Sequence, residues 1–236
     1  MAKSLCGALL LCLFFSPVMG QDQGMSAAEG FNFKHQAGIR LGAWASQGDN
    51  PSADISDPAT QFLYQANIKN TNFYFEAYFG YRFSRPLMLE IAGGIVNRGD
   101  VNISDSGLNY IGNLMVYPIS VRLKLYPFGA GTHKYQPYLM GGGAIYYSRF
   151  SIQFSNDYYA GLEGASKTKL GLLAGAGIDY PIASQVGLDL NMSYMPINFS
   201  SDLLGAKNFT AFTVTVGVKY LYSSHKQAGH NLRRSE

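Results

Sequence analysis

Charge, cysteine and long apolar runs are all scarce in this chain of 236 residues. Charged residues make up 14%, against about a quarter in an ordinary soluble domain, so a conventional water-facing surface does not explain the composition. The formal net charge is only +3, and Lys226, Arg233 and Arg234 near the C-terminus supply much of the excess. No basic face for nucleic acid is indicated. The longest apolar run, residues 5–15, falls short of the roughly 18 residues a membrane-spanning helix needs. A helical membrane protein is thereby excluded, although 47% of the residues are hydrophobic and 14% aromatic, too many for a disordered chain. The apolar residues must be distributed in some other way.

The only cysteines, Cys6 and Cys12, lie inside that apolar run. Lys3 precedes the run, Ser16-Pro17 breaks it and small Gly20 follows, the pattern of a secretory signal peptide over residues 1–20. A buried N-terminal helix would show a polar face, and this segment has none. After cleavage the chain keeps no thiol, hence no disulfide, thiolate metal site or cysteine nucleophile. Neither cysteine sits at the cleavage position, so a lipoprotein is not expected. Residues 223–236 are polar and without apolar periodicity, and read as a tail.

Between the ends the apolar residues recur with a period of two. Phe73, Phe75, Ala77, Phe79, Tyr81 and Phe83 alternate with Tyr74, Glu76, Tyr78, Gly80 and Arg82, which a strand sorts onto two faces and a helix scatters. Leu87, Leu89, Ile91, Gly93 and Ile95 alternate in the same way with Glu90, Gly94 and Arg98. So do Met115, Tyr117, Ile119, Val121, Leu123 and Leu125 with Ser120, Arg122 and Lys124. Similar segments cover residues 35–45, 170–180, 186–194 and 212–222, and residues 137–147, rich in glycine and tyrosine, fit in length though not in readable facing. These make eight strands, each near the 9 to 11 residues that cross a bilayer at a tilt. Long connections over 46–70, 99–109, 148–168 and 196–208 alternate with short or moderate ones at 84–86, 127–134 and 181–184. The expected fold is all-β, an eight-stranded antiparallel up-and-down transmembrane β-barrel, which also leaves no strand edge exposed.

The two faces differ in chemistry. Across the seven readable strands the apolar face carries no Asp, Glu, Lys or Arg, and it ends in aromatics such as Tyr81, Phe83, Tyr180, Tyr194, Phe212 and Tyr220, which suit interfacial girdles. The opposite face holds Arg40, Arg82, Arg122, Lys124 and Lys219 with Glu76, Glu90, Asp179 and Asp189, among glycine, serine, threonine and asparagine. Small residues and charges of both signs suit a narrow lumen, in which the charges neutralise one another as a plug or else line a polar path.

The last strand reads Thr215-Val-Gly217-Val-Lys-Tyr220-Leu-Tyr222, a polar residue, a glycine two on, then aromatics. Thr215, Gly217, Tyr220 and Tyr222 resemble the β-signal by which bacterial outer-membrane barrels are recognised for insertion, although here 14 residues follow it. Together with Gly80-Tyr-Arg-Phe-Ser84 leading into Leu89-Glu-Ile91, Lys124-Leu-Tyr-Pro127 before Pro137-Tyr-Leu139, and Gly175-Ala-Gly177 before Asp179-Tyr180, residues 34–222 resemble the small OmpA/OmpX-type barrel domain. The resemblance implies a Gram-negative outer-membrane protein with long loops outside the cell. Residues 21–33 and the tail 223–236 would then lie in the periplasm. It also implies as partners outer-membrane lipids and lipopolysaccharide, the barrel-insertion machinery, periplasmic chaperones and an extracellular ligand of unknown identity. It gives no activity, because the fold hosts adhesins, anchors, pores and lipid-modifying enzymes.

An enzyme is the sharp alternative. His35 begins the first strand, His133 lies in a connection, and His225 and His230 are in the tail; no histidine is followed two residues later by serine, as in lipid A deacylase barrels. A histidine without serine and acid at the outer-leaflet side has no triad to join. Asp49, Asp54 and Asp57 lack the spacing, central glycine and distal glutamate of a calcium loop. Gly175-Ala-Gly177 and Gly141-Gly-Gly143 lie within strands and read as close-packing positions. Asn102, Asn191, Asn198 and Asn208 fit a glycosylation sequon that has no meaning in a bacterial chain. Gly42-Ala-Trp44 would also open a soluble lipocalin, whose apolar face would be a ligand pocket. The expectation is a non-enzymatic barrel without cofactor or metal that serves membrane integrity or surface interaction. A narrow pore for small or apolar solutes is the alternative.

Overall fold

A computed structural model describes residues 34–49, 54–56, 63–105, 108–130, 133–153, 166–183, 185–203 and 206–222. The expected signal peptide, the segment 21–33 and the tail, with Cys6, Cys12, His225 and His230, lie outside these residues. The strands in chain order are β1 (His35–Ser46), β2 (Asp54–Ser56), β3 (Leu63–Ile68), β4 (Thr71–Arg82), β5 (Leu87–Asp105), β6 (Leu108–Leu125), β7 (Gln136–Gln153), β8 (Ser166–Pro181), β9 (Val186–Met195), β10 (Asn198–Leu203), β11 (Ala206–Asn208) and β12 (Ala211–Tyr222). Eight of them, β5-β4-β1-β12-β9-β8-β7-β6, pair antiparallel in that order, and the β5–β6 pairing closes the ring. Closure between first and last strands runs from His35↔Tyr222 to Ser46↔Ala211 without a shift.

The period of two becomes the wall of this barrel. Outward residues such as Ile39, Ile91, Val121, Leu139, Leu172 and Val216 are exposed, whereas Arg40, Glu90, Arg122, Met140, Leu173 and Thr215, each one residue away, are buried. A wall of exposed aliphatic side chains around a buried polar interior is stable in lipid, not in water. Tyr138, Met140, Ala144 and Tyr146 point inward from β7, which settles the facing that the glycines of residues 137–147 concealed. The short connections gather at one end: Leu87 and Ser84 exchange backbone bonds across one turn, and Val186 and Ala183 across another.

The long-loop end differs from expectation. Residues 99–105 and 108–109 are strand: β5 continues to Asp105 and β6 resumes at Leu108, still paired from Gly99↔Leu114 to Asp105↔Leu108. The segment 46–70 contains the β2–β3 hairpin, whose β3 joins the extension of β5 through Tyr64↔Ile103 to Ile68↔Gly99. β7 runs to Gln153 and β8 starts at Ser166, and the segment 196–208 holds the β10–β11 hairpin. Beyond the bilayer both faces of a strand meet water, so hydropathy loses its period while the hydrogen-bonded ladder continues. The register of β5 and β6 shifts between Asn97 and Gly99, so Arg98 is the extra residue of a bulge.

Candidate functional site: the lumen and its cap

At the waist of the barrel Arg40 is fully buried and donates to three carboxylates. Its Nε reaches Asp189 at 2.5 Å, its Nη1 reaches Glu76 at 2.6 Å, and its Nη1 and Nη2 reach the two oxygens of Glu90 at 2.9 and 2.8 Å. The strand pairings create this meeting: Arg40 stands opposite Glu76 on β4 and Gly217 on β12, and Gly217 in turn opposite Asp189 on β9. Gly217 has no room for a side chain. A Cβ there would stand 2.5 Å from the Ile39 carbonyl oxygen and 2.7 Å from Arg40 Cγ, so the glycine leaves room for the arginine stem.

Around this centre, Arg122 pairs with Glu76 and, at 3.4 Å, with Glu90. Lys124 Nζ lies 2.8 Å from Glu90 and 3.5 Å from Asp189. Lys219 Nζ lies 2.5 Å from Asp179. Asp179 and Asp189 face each other across β8 and β9, an arrangement that is repulsive without compensating charge; Lys219 and Lys124 supply it. Tyrosine hydroxyls occupy remaining lone pairs, Tyr126 donating to Asp179 at 2.8 Å, Tyr138 to Asp189 at 3.0 Å and Tyr74 to Glu76 at 2.8 Å. Arg40 also lies 3.6 Å from the centroid of the Tyr78 ring, and Arg82 5.0 Å from that of Tyr126. All nine charged residues read from the sequence as lumen-facing are thus buried inside, and eight of them join through the ion pairs above. The tyrosines share the period of the charges, and that period was their only signal in the sequence; which of them meets which carboxylate depends on the pairing of distant strands.

Above the ionic waist, toward the long-loop end, the lumen turns apolar. Trp44, Tyr74, Val96, Leu114, Val116 and Tyr146 are all buried there. The segment carrying β10 and β11 lies at the same end, with Ile197, Phe199 and Phe209 buried and the two phenylalanines edge to face at 5.1 Å. Arg98, read from the sequence only as inward-facing, lies 4.9 Å from the Phe209 ring centroid and reaches the Asp49 carbonyl at 3.4 Å. Asp49 ties the cap to β1: its carboxylate accepts the N–H groups of Lys207 and Asn208, each at 3.0 Å, and its own N–H donates to the Asn208 carbonyl at 2.8 Å. These backbone donors hold the Asp49 carboxyl below its ordinary value. Asp49 therefore anchors a loop, and no group of three or more His, Cys, Asp or Glu suited to a metal occurs among the described residues.

Elsewhere, His35 stacks on Tyr222 at 5.2 Å at the short-turn end, and His133 packs edge-on to Phe128 in an exposed turn. Thr215 and Gly217 face the lumen, whereas Tyr220 is exposed outside. Gly177 lies against the Tyr138 hydroxyl, where a Cβ has no space, so the Gly175-Ala-Gly177 pair is a packing feature. Trp44 faces the lumen and not a soluble ligand pocket.

A family model described as "Outer membrane protein beta-barrel domain" matches residues 8–220. No curated protein sequence matches. Among solved structures, OprG from Pseudomonas aeruginosa is similar at 21% identity with a TM-score of 0.52, covering 81% of this chain and 98% of that one. Neisserial surface protein A is similar at 18% identity with a TM-score of 0.47, over 85% of this chain and 100% of that one. Ail of Yersinia pestis, solved with the heparin analogue sucrose octasulfate, is similar at 14% identity with a TM-score of 0.47, over 80% of this chain and 99% of that one. With a closed eight-stranded ring, a lipid-compatible wall and a family match over most of its length, the chain belongs to the outer membrane protein beta-barrel domain family and is a protein of the bacterial outer membrane.

Proposed function

We propose that this protein is a non-enzymatic outer-membrane barrel whose ionic network plugs the lumen and whose loop end supports membrane integrity or surface interaction. The observation that carries this reading is Arg40 held by Glu76, Glu90 and Asp189 across the full width of the barrel. Eight strands enclose a space only wide enough for side chains, and here those side chains bind one another. The experiment is conductance of the purified protein in planar bilayers. Absent or very small current is expected, and large, stable single-channel steps refute the plug.

In this reading residues 1–20 are a signal peptide, Thr215, Gly217, Tyr220 and Tyr222 are read by the insertion machinery after delivery by periplasmic chaperones, and both termini lie in the periplasm. Lipopolysaccharide then surrounds the loop end, where Lys69, Arg149, Lys169 and Lys207 are exposed. Orientation is testable because Cys6 and Cys12 are the only cysteines. A cysteine in place of Ser201 is labelled by an impermeant maleimide on intact cells, and one in place of Ser84 only after the outer membrane is permeabilised; the reverse pattern refutes the orientation.

A second reading, a narrow path for small apolar solutes, is favoured by the apolar upper lumen. The β8–β9 ladder starts only at Ala174↔Tyr194, and Pro196, with no N–H to donate, follows β9. Residues 166–173 of β8 thus lie outside that ladder, next to the buried apolar residues of the upper lumen. Uptake of a small hydrocarbon into proteoliposomes above the rate of empty vesicles separates this reading from the plugged barrel.

A further inference from the structure

We propose that the groove at the short-turn end, between Phe128 and Tyr135, binds an anionic phospholipid of the adjoining leaflet, its phosphate on Lys134 and its acyl chain along Phe128, Tyr135 and Pro137. The groove has a volume of about 420 Å3 and is lined by Phe128, His133, Lys134, Tyr135 and Pro137. Leu125 and Leu139, paired across β6 and β7 just before and after its lining residues in the chain, are exposed on the lipid-facing wall.

The site is built by its backbone before any ligand arrives. Pro127 begins a turn closed by the Gly129 N–H donating to the Tyr126 carbonyl at 3.0 Å, and Gly129 takes φ 70°, the left-handed conformation that favours glycine. This turn thrusts Phe128 outward, 64% exposed. Buried Gln136 donates to the His133 carbonyl at 3.1 Å and fixes the opposite bank, where Tyr135 is 66% exposed and leans on Tyr180 at 5.2 Å. Lys134 Nζ sits 5.4 Å from the Tyr180 ring centroid, at the level where interfacial aromatics meet headgroups. The Ala130 N–H donates to the Arg85 carbonyl at 2.9 Å, which brings the neighbouring turn and its exposed Arg85 alongside.

Charge selects the ligand. Lys34, Arg85 and Lys134 are exposed at this end, and among the described residues no exposed Asp or Glu accompanies them. Exposed aromatics beside one-signed basic charge fit a lipid with a net negative headgroup better than a zwitterionic one. That the leaflet is the periplasmic one rests on the orientation proposed above, whereas binding in micelles is independent of it.

The folded full chain in a nonionic detergent is mixed with equal amounts of phosphatidylglycerol and phosphatidylcholine of the same acyl length, and retained lipid is read by native mass spectrometry. Phosphatidylglycerol is expected to be retained several-fold more. Lys134→Gln and Arg85→Gln each reduce that preference roughly fivefold, and Phe128→Ala with Tyr135→Ala lowers retention of both lipids. Heat-dependent gel mobility verifies that each variant is folded, and Lys134→Arg retains the preference. Equal retention by the unaltered protein, a preference that survives both neutral substitutions, or displacement of the lipid by excess inorganic phosphate overturns the proposal.

Discussion

Replacing Arg40 with methionine removes five hydrogen bonds to three buried carboxylates, two of them a bidentate pair with Glu90. Among the eight residues joined by the ion pairs above, Arg40, Arg122, Lys124 and Lys219 face Glu76, Glu90, Asp179 and Asp189 in equal number; afterwards three of these cations face four anions, with Arg82 a further buried cation beside Tyr126. Removing one partner of a buried ion pair costs about 3–5 kcal/mol because the other is left in a medium that solvates it poorly. Arg122 and Lys124 still reach Glu76, Glu90 and Asp189, so the cost of Arg40→Met is expected toward the lower end, about 3 kcal/mol. Glu90→Gln made together with Arg40→Met restores three against three. The double variant is expected to be less destabilised than the sum of the single ones by about 1–3 kcal/mol. The assay is reversible urea unfolding of the refolded chain in lipid vesicles, followed by gel mobility without boiling. Additivity within about 0.5 kcal/mol, or a cost below about 1 kcal/mol for Arg40→Met, would refute the view that Arg40 organises the waist.

Other substitutions probe the wall, the seam and the cap. Val121→Arg places a cation on the lipid side of β6, where Val121 is exposed, and is expected to cost about 2–4 kcal/mol in the same unfolding assay; a cost near zero would mean that this face does not meet lipid. Gly217→Val drives side-chain atoms into Arg40 and the Ile39 carbonyl, so a large loss of the unheated fast-migrating form is expected, and normal folding yield would contradict the close approach. The Asp49 carboxyl titrates below its unfolded value in the native state. Its tether to Lys207 and Asn208 is therefore complete above the usual carboxylate range and is lost as pH falls through the depressed value. Protection of those two N–H groups, their exchange rate relative to an unstructured amide at the same pH, should be high at neutral pH, lower in strong acid, and low at neutral pH in Asp49→Ala; protection indifferent to both changes argues against the latch.

The barrel is legible in the chain because a bilayer imposes one rule on every strand: apolar side chains outside at every second position. Hence Phe73 to Phe83 and Met115 to Leu125 declare their facing without any knowledge of neighbours. The same period places Arg40, Glu76, Glu90, Arg122, Lys124, Asp179, Asp189 and Lys219 on one surface before any contact is known, since parity along a strand decides inside from outside. Where the bilayer ends the rule ends, and the continued pairing of residues 99–105 with 108–114 and the two added hairpins escape it. Parity also says nothing about height. That Arg40 meets Asp189, 149 residues away, is decided by the shear of the closed ring and the pairing of β1 with β12, and that Arg98 turns onto Phe209 is decided by a single-residue bulge. Inside or outside is a property of each strand alone, whereas the partner of a buried charge belongs to the register of all eight, and only the closed barrel sets it.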